Sequence, residues 1–239
     1  MSPPEASNRT AAMTSVAFLQ RLSVDHRQRL LEATTTRTYA SGEHLWTQDA
    51  MANRFHAVVS GHVKLTRMDP QGRETTITIE SPGHFLCPMQ AYAHTRYQCS
   101  ATAVGATQVL SFDRKVLLCN LREHSEVALS FVDSMLKSDE ALRERINELS
   151  ALRVVERVAR LFVRLAETIG VHTSEGTVLV PVRLSRRELA SLCATTPETI
   201  CRQLRRAPIS SLVSTHKGGF TLHALDALRD VADGGTGLE

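Results

Sequence analysis

Apolar residues change their spacing several times along this chain, and each change marks a different kind of element. Residues 16–34, VAFLQRLSVDHRQRLLEAT, carry apolar side chains at helical spacing and predict one or two short helices. From Arg37 the pattern becomes that of short strands broken by glycine-containing turns, with DPQG at 69–72 closing a hairpin between HVKLTR and ETTITIE. The passage QCSATAVGATQVLSFD completes a β domain of about 100 residues. Glycines 42, 61, 72, 83 and 105 are expected where the chain turns between these short strands.

A long helical stretch follows, starting near Arg114 or Glu123. Val132, Met135 or Leu136, Leu142, Ile146, Leu149 and Leu152 leave an apolar stripe along it, while Arg143, Glu144, Arg145 and Glu148 stay wet. Such a stripe needs a partner. It can lie on its own β domain, but its length and near-heptad spacing favour the same helix of a second chain.

Gly170 ends the next helix, which contains Val154 to Thr168, and IGVHTSEGTVLVPV reads as a small strand or loop pair. Then LSRRELASLCATTPETICRQLRRA gives two short helical patterns separated by Cys193 to Thr196. Ser185 with Glu188 forms a capping box for the first, and Thr196-Pro197 supplies a cap and an N1 proline for the second. Leu184, Leu189, Leu192, Ile200 and Leu204 are left to face a core. Pro208 removes a backbone donor and is expected to shorten the second helix or start a separate turn.

Charge sharpens this picture. The 239 residues carry a net charge of only +3, yet six Arg and one Lys against two Glu between Arg183 and Lys217 give that segment +5. The rest of the chain is about −2, so a near-neutral body carries a basic segment suited to a polyanion. The five cysteines, 87, 99, 119, 193 and 201, form no CxxC pair and no zinc pattern, which excludes a disulfide scaffold and a zinc finger. No histidine pair has metal-ligand spacing, and the histidines are expected on the surface. No segment approaches the roughly 20 apolar residues needed to cross a bilayer, so the expected setting is the reducing cytoplasm, with no membrane partner.

Two short helices joined by a tight turn, the second with polar and basic residues outside, make a helix-turn-helix whose second helix enters a major groove. Glu198 is placed to accept from cytosine N4, and Arg202, one turn later, to donate a fork to guanine O6 and N7. Thr195, Thr196 and Thr199 suit phosphate or base-edge contacts, and Arg186, Arg187, Arg205, Arg206 and Lys217 suit the flanking backbone. The hairpin VSTHKGGFTL that follows is placed like the wing of a winged helix.

In this order the stretches YASGEHLWTQDAMANRFHAVVSGHVKLTR, DPQGRETTI, the PGHF turn, the long helix, LSRRELASLCATTPETICRQLRR and the wing resemble the cyclic-AMP receptor and fumarate-nitrate regulator family of bacterial transcription factors. The resemblance covers roughly residues 16–232. It implies an α+β architecture: a jelly-roll β sensor domain of the cyclic-nucleotide-binding kind over 16–122, a dimerisation helix over 123–152 and a winged helix-turn-helix over 153–232. It also implies a homodimer on a palindromic double-stranded DNA site, with RNA polymerase as a further partner, and base-reading roles for Pro197, Glu198, Cys201 and Arg202.

The departures concern the effector. Family members that bind cyclic nucleotides have a glutamate for the ribose after the PGxF turn and an arginine-serine pair for the phosphate. This chain has Pro88 and Cys99-Ser100 there, and Arg96 lies out of register, which argues against a cyclic nucleotide. The iron-sulfur members gather cysteines before the β domain, where this chain has none, which argues against a cluster. Cys87-Pro88 falls where the family's carbon-monoxide sensor carries its haem-ligand region, with His84 and His94 near in sequence. Haem on Cys87 or His84 therefore stands beside the simpler reading of a small buried thiol next to a turn proline. Cys201, beside Arg202 and Arg205, is open to oxidation that would block DNA binding, or is simply a tolerated small side chain.

The expectation is a dimeric, sequence-specific DNA-binding regulator of transcription, controlled by an effector other than cyclic AMP. The alternatives are a constitutive member with a scaffold β domain and a haem-dependent gas or redox sensor. No nucleophile elbow, Walker loop, HExxH or carboxylate pair points to an enzyme.

Overall fold

The computed structural model describes residues 16–174 and 176–235. The chain divides into two compact units, with the boundary between Leu142 and Arg143 inside one long helix.

The first unit opens with α1 (Ala17–Gln20) and α2 (Val24–Glu32), then folds six strands: β1 (Thr34–Tyr39), β2 (His44–Trp46), β3 (Arg54–Met68), β4 (Glu74–Glu80), β5 (Phe85–Leu86) and β6 (Ser100–Asp113). The short helix α3 (Pro88–Ala93) lies between β5 and β6 in sequence. The strands pair antiparallel in the order β1-β6-β3-β4, with β2 also on β6 and β5 also on β3. Asp69 builds the β3–β4 turn: its side chain accepts from the Gln71 and Arg73 amides at 2.9 Å, and Gly72 sits at φ +75°, where a side chain would strain.

Two strands are longer than the sequence pattern predicts. β3 has 15 residues and β6 has 14, and Gly61 and Gly105, expected at turns between strands, lie inside them. Both glycines have φ +73°, and the β3–β6 register shifts beside Gly61, so they bend continuing strands. A Cβ on Gly61 would stand 2.4 Å from the Ala106 carbonyl oxygen and 2.7 Å from Thr107 Cα.

After β6 come α4 (Arg114–Glu123) and α5 (Ser125–Ala151), 27 residues or about 40 Å long. The start of α5 is fastened to its own β unit. Phe131 joins Phe18, Phe55, Phe85 and Phe112 in an aromatic core with ring centroids 5.4 to 6.4 Å apart. Ser130 donates to the Phe18 carbonyl at 2.8 Å, and Asp133 pairs with Arg21.

The second unit takes the end of α5 and then α6 (Val154–Ile169), β7 (Val171–His172), β8 (Val178–Val180), α7 (Arg186–Leu192), α8 (Pro197–Gln203), α9 (Ile209–Leu212), β9 (Val213–His216), β10 (Gly219–Leu222) and α10 (Leu225–Ala232). Its small sheet runs β7-β8-β10-β9. Helix α6 buries Val158, Leu161, Phe162 and Leu165 on one face, and Phe162 meets Phe220 of β10 at 5.1 Å. Helix α8 ends at Gln203, and Pro208 stands at the entry to the separate α9. Among the described residues no helix is long and apolar enough to cross a membrane.

Candidate nucleic-acid interface and sensor site

The helix-turn-helix is built by local signals. Ser185 and Glu188 close their box: the Ser185 amide donates to Glu188 Oε2 at 2.7 Å, and the Glu188 amide to Ser185 Oγ at 3.2 Å. The turn from Cys193 to Thr196 carries Ala194 at φ +46°, and Thr196 Oγ1 accepts from the Thr199 amide at 3.2 Å to start α8 behind Pro197. Leu189, Ala190, Leu192, Cys193 and Ile200 are buried, which fixes the opposite face outward. Leu204, expected in the core, is only half-buried.

That outward face brings together Pro197, Glu198, Cys201, Arg202, Arg205 and Arg206, which line an open hollow of about 500 Å³. Glu198, Arg202, Arg205 and Arg206 are exposed, while Cys201 is half-buried. Thr196 and Thr199 turn their hydroxyls to each other at 3.1 Å, so both are engaged at the helix start. Arg186 and Arg187 sit at the start of α7, and Lys217 is exposed at the tip between β9 and β10; none of the three lines the hollow.

Two residues that tie α5 to α6, Arg157 and Glu148, have no sequence signal. Arg157 of α6 donates to the carbonyls of Leu149 and Leu152 at 3.0 and 3.1 Å, at the end of α5, and to that of Ala194 at 3.4 Å in the helix-turn-helix turn. Glu148 of α5 receives Arg145 at 2.8 Å and Arg164 at 2.5 Å. Burial works against its charge, but Arg164 and Arg145 together hold its carboxyl below the ordinary value.

On α5, Val132, Leu136, Leu142 and Ile146 are 50 to 59% exposed, so the stripe is open within one chain. Met135 differs, being half-buried against the β core, and Leu149 is half-buried as well.

In the sensor unit, Cys87 ends β5 at φ +46° and caps α3, whose N1 residue is Pro88. Its sulfur lies 3.5 Å from that of Cys99, which is 5% exposed at the start of β6. The hydrogen bond between the two thiols holds Cys99 below the ordinary thiol value and, with burial, pushes Cys87 well above it. Trp46 donates from Nε1 to the Cys99 carbonyl at 2.9 Å and stacks on Tyr97 at 4.2 Å and on His56 at 5.2 Å.

The histidines are not all surface groups. His56 is half-buried on β3 with Nδ1 2.8 Å from Ser111 Oγ, and loss of water around its ring, with Arg54 adding, pushes its pKa down to about 4. His84, by contrast, lies 3.6 Å from Glu80, whose carboxylate raises its pKa, and His94 bonds Asn53 at 3.0 Å. Neither is turned to Cys87 in these contacts. At the positions that the resemblance assigns to a cyclic nucleotide, Cys99 faces Cys87, Ser100 Oγ accepts from the Gln48 amide at 2.9 Å, and Arg96 donates to the Asp49 carbonyl at 2.6 Å. The position that the resemblance gives to the phosphate's arginine is held by Cys99, and the Arg96 guanidinium is spent on the Asp49 carbonyl.

An antiparallel β roll, a long helix and a winged helix-turn-helix in one chain define a DNA-binding regulator of transcription. Residues 36–124 match the cyclic nucleotide-binding domain family, and residues 156–231 match the Crp-like helix-turn-helix domain. The chain is 25% identical over 167 residues to the CRP-like cAMP-activated global transcriptional regulator of Mycobacterium tuberculosis, covering 70% of this chain and 74% of that one. It is 27% identical over 198 residues to the cyclic AMP receptor protein of Thermus thermophilus, covering 83% and 88%. Its fold is shared with a CRP-family transcriptional regulator from Thermus thermophilus (TM-score 0.70, 19% identity, 84% and 98% covered). It is shared also with the c-di-GMP responsive global regulator of Xanthomonas campestris (TM-score 0.64, 16% identity, 84% and 100% covered). The chain belongs to the cyclic-AMP receptor and fumarate-nitrate regulator family.

Proposed function

We propose that this protein is a dimeric, sequence-specific regulator that reads a palindromic DNA site through α8 and responds to an effector other than a cyclic nucleotide. The observation that carries the DNA reading is the capped helix with Glu198 and Arg202 exposed one turn apart, beside Arg205 and Arg206 in one hollow. A carboxylate and a guanidinium so placed match a cytosine N4 donor and the guanine O6/N7 acceptors of neighbouring pairs. Arg186, Arg187 and Lys217 serve the phosphates, which position the module without selecting sequence.

Dimerisation is carried by Val132, Leu136, Leu142 and Ile146, with Met135 and Leu149 at the edges of the same stripe; exposed apolar residues on a helix of 27 residues support it. Two-fold symmetry then places half-sites one helical turn apart, about 34 Å. In this reading residues 16–122 sense, 123–152 pair, and 153–232 read DNA in the cytoplasm, with RNA polymerase as the partner that transmits the outcome.

Binding selection on random duplexes, followed by titration of the selected site, tests it. Arg202→Ala is expected to weaken the selected site about 10- to 100-fold, as for loss of one bidentate base contact, while weak salt-sensitive binding to other DNA survives. Unchanged sequence preference in that variant overturns the reading.

A further inference from the structure

We propose that Cys87 and Cys99 are a modification site: a hydroperoxide converts them to a reversible intramolecular disulfide that alters the sensor unit. The sulfurs are 3.5 Å apart, and a disulfide needs about 2.05 Å, so an approach of about 1.5 Å closes the bond. Among the described residues no group of three or more His, Cys, Asp or Glu side chains, these two thiols included, is arranged to hold a metal. The other cysteines have different surroundings: Cys119 donates to Glu123, Cys193 to the Arg157 carbonyl, and Cys201 lines the DNA-facing hollow.

Chemistry and access are divided between the pair. Cys99 is the buried partner with the lowered pKa, and Cys87 is half-buried at the surface end. Cys99 gives up its proton and its sulfur attacks one peroxide oxygen. The S–O bond forms as the O–O bond breaks, and the departing oxyanion takes up that proton, leaving as water or an alcohol. Cys87 sulfur then attacks the sulfenic sulfur of Cys99. The S–S bond forms, the S–O bond breaks, and hydroxide leaves as water with the Cys87 proton. Two electrons have passed from the thiol pair to the peroxide, and exchange with a small thiol returns them.

The two sides of the pair are held unequally. Cys99 is pinned, because its carbonyl accepts from Trp46 and the segment before it is laced to residues 49–52 by Asp49 N to Tyr97 O, Tyr97 N to Ala50 O and Ala52 N to Thr95 O. The approach therefore falls on Cys87 and α3. That helix is tied onward: Arg114, the first residue of α4, donates to the Ala91 and Tyr92 carbonyls at 2.7 and 3.0 Å. Since α4 leads into α5, a shift of α3 reaches the helix that the proposed function uses for pairing, and the regulatory arm of this proposal rests on that reading.

The test treats the full-length protein with a small excess of hydrogen peroxide, blocks remaining thiols, and maps cysteines by mass spectrometry before and after dithiothreitol. The expected product is a cross-linked peptide pair 87 and 99, two hydrogens lighter, regained as two thiols on reduction. Cys87→Ser and Cys87→Ala, checked for native circular dichroism, are expected to lose the cross-link and to form a stable Cys99 sulfenic acid that dimedone traps. Cys87 and Cys99 both recovered as thiols, or oxidised separately to sulfinic acid without a cross-link, overturns the site. The cross-linked protein is expected to bind its selected DNA at least threefold more weakly or more tightly than the reduced form. An unchanged affinity with the cross-link in place overturns the regulatory arm alone, and the mass reading stands whether or not the DNA reading does.

Discussion

Arg157→Met removes a side chain that donates both to the end of α5 and to the turn of the helix-turn-helix while keeping most of its stem volume. It deletes two short hydrogen bonds, at 3.0 and 3.1 Å, and a marginal one at 3.4 Å. Charged donors contribute about 1.5–3 kcal/mol each when water is excluded, and for a half-buried guanidinium about 1 kcal/mol for each short bond is the fitting value. The positive charge near the last carbonyls of α5 adds roughly 0.5 kcal/mol through the helix dipole. The expected loss is therefore about 2–3 kcal/mol. With a urea slope of about 1–2 kcal/mol/M, the transition of the second unit moves down by about 1–3 M, read by circular dichroism at 222 nm on the full chain. Arg157→Lys, which keeps the charge but not the fork, is expected to recover roughly half of the loss. DNA affinity falls in Arg157→Met, because the Ala194 turn that aims α8 loses an anchor. A midpoint shift under about 0.3 M, or normal DNA affinity despite the full shift, refutes the assignment.

Further outcomes follow from other contacts. His56 has its pKa depressed from 6.5 to about 4, so between those values the unfolded chain binds a proton that the fold refuses. Its contribution is complete above pH 6.5 and is lost as pH falls toward 4, by up to about 3 kcal/mol; urea midpoints across that range should flatten in His56→Gln, and an equally steep profile refutes the assignment. Gly61→Ala combines positive φ with backbone atoms at 2.4 and 2.7 Å and is expected to cost about 3 kcal/mol or more, while Gly105→Ala, with open space around its Cβ, costs about 1. Equal thermal shifts for the two glycines would show that crowding is not the cause. Ser185→Ala breaks the capping box and should lower stability by about 1 kcal/mol, with Ser185→Asp largely retaining it, both read by thermal denaturation.

The parts legible in the sequence are those whose cause lies within a few residues. Ser185 with Glu188, and Thr196 with Pro197, announce two helix starts, and both caps form with the expected donors. The Asp69–Gly72 turn and the break at Pro208 are of the same kind. Gly61 and Gly105 were open to misreading because a positive φ serves a turn and a bend within a strand alike; which one occurs depends on whether the distant partner strand continues past it. The nearness of Cys87 to Cys99 depends on β5 pairing with β3 while β3 pairs with β6, so no local spacing reports it. Arg157 is likewise one arginine among several on α6, and only the folded chain separates it from its neighbours. His56 alternates with Phe55 and Ala57 on β3 and reads as an outward residue until Trp46 is seen to cover it.

Trp46 is the chain's single tryptophan, and it is hydrogen-bonded to the carbonyl of Cys99. An excited indole passes an electron readily to a disulfide and far less readily to a thiol. The protein thus carries a built-in optical probe at the thiol pair, and its ultraviolet emission should dim as that pair is oxidised and return on reduction. With no second indole to add background, the redox state of this one site becomes readable in real time, without label, during a DNA titration.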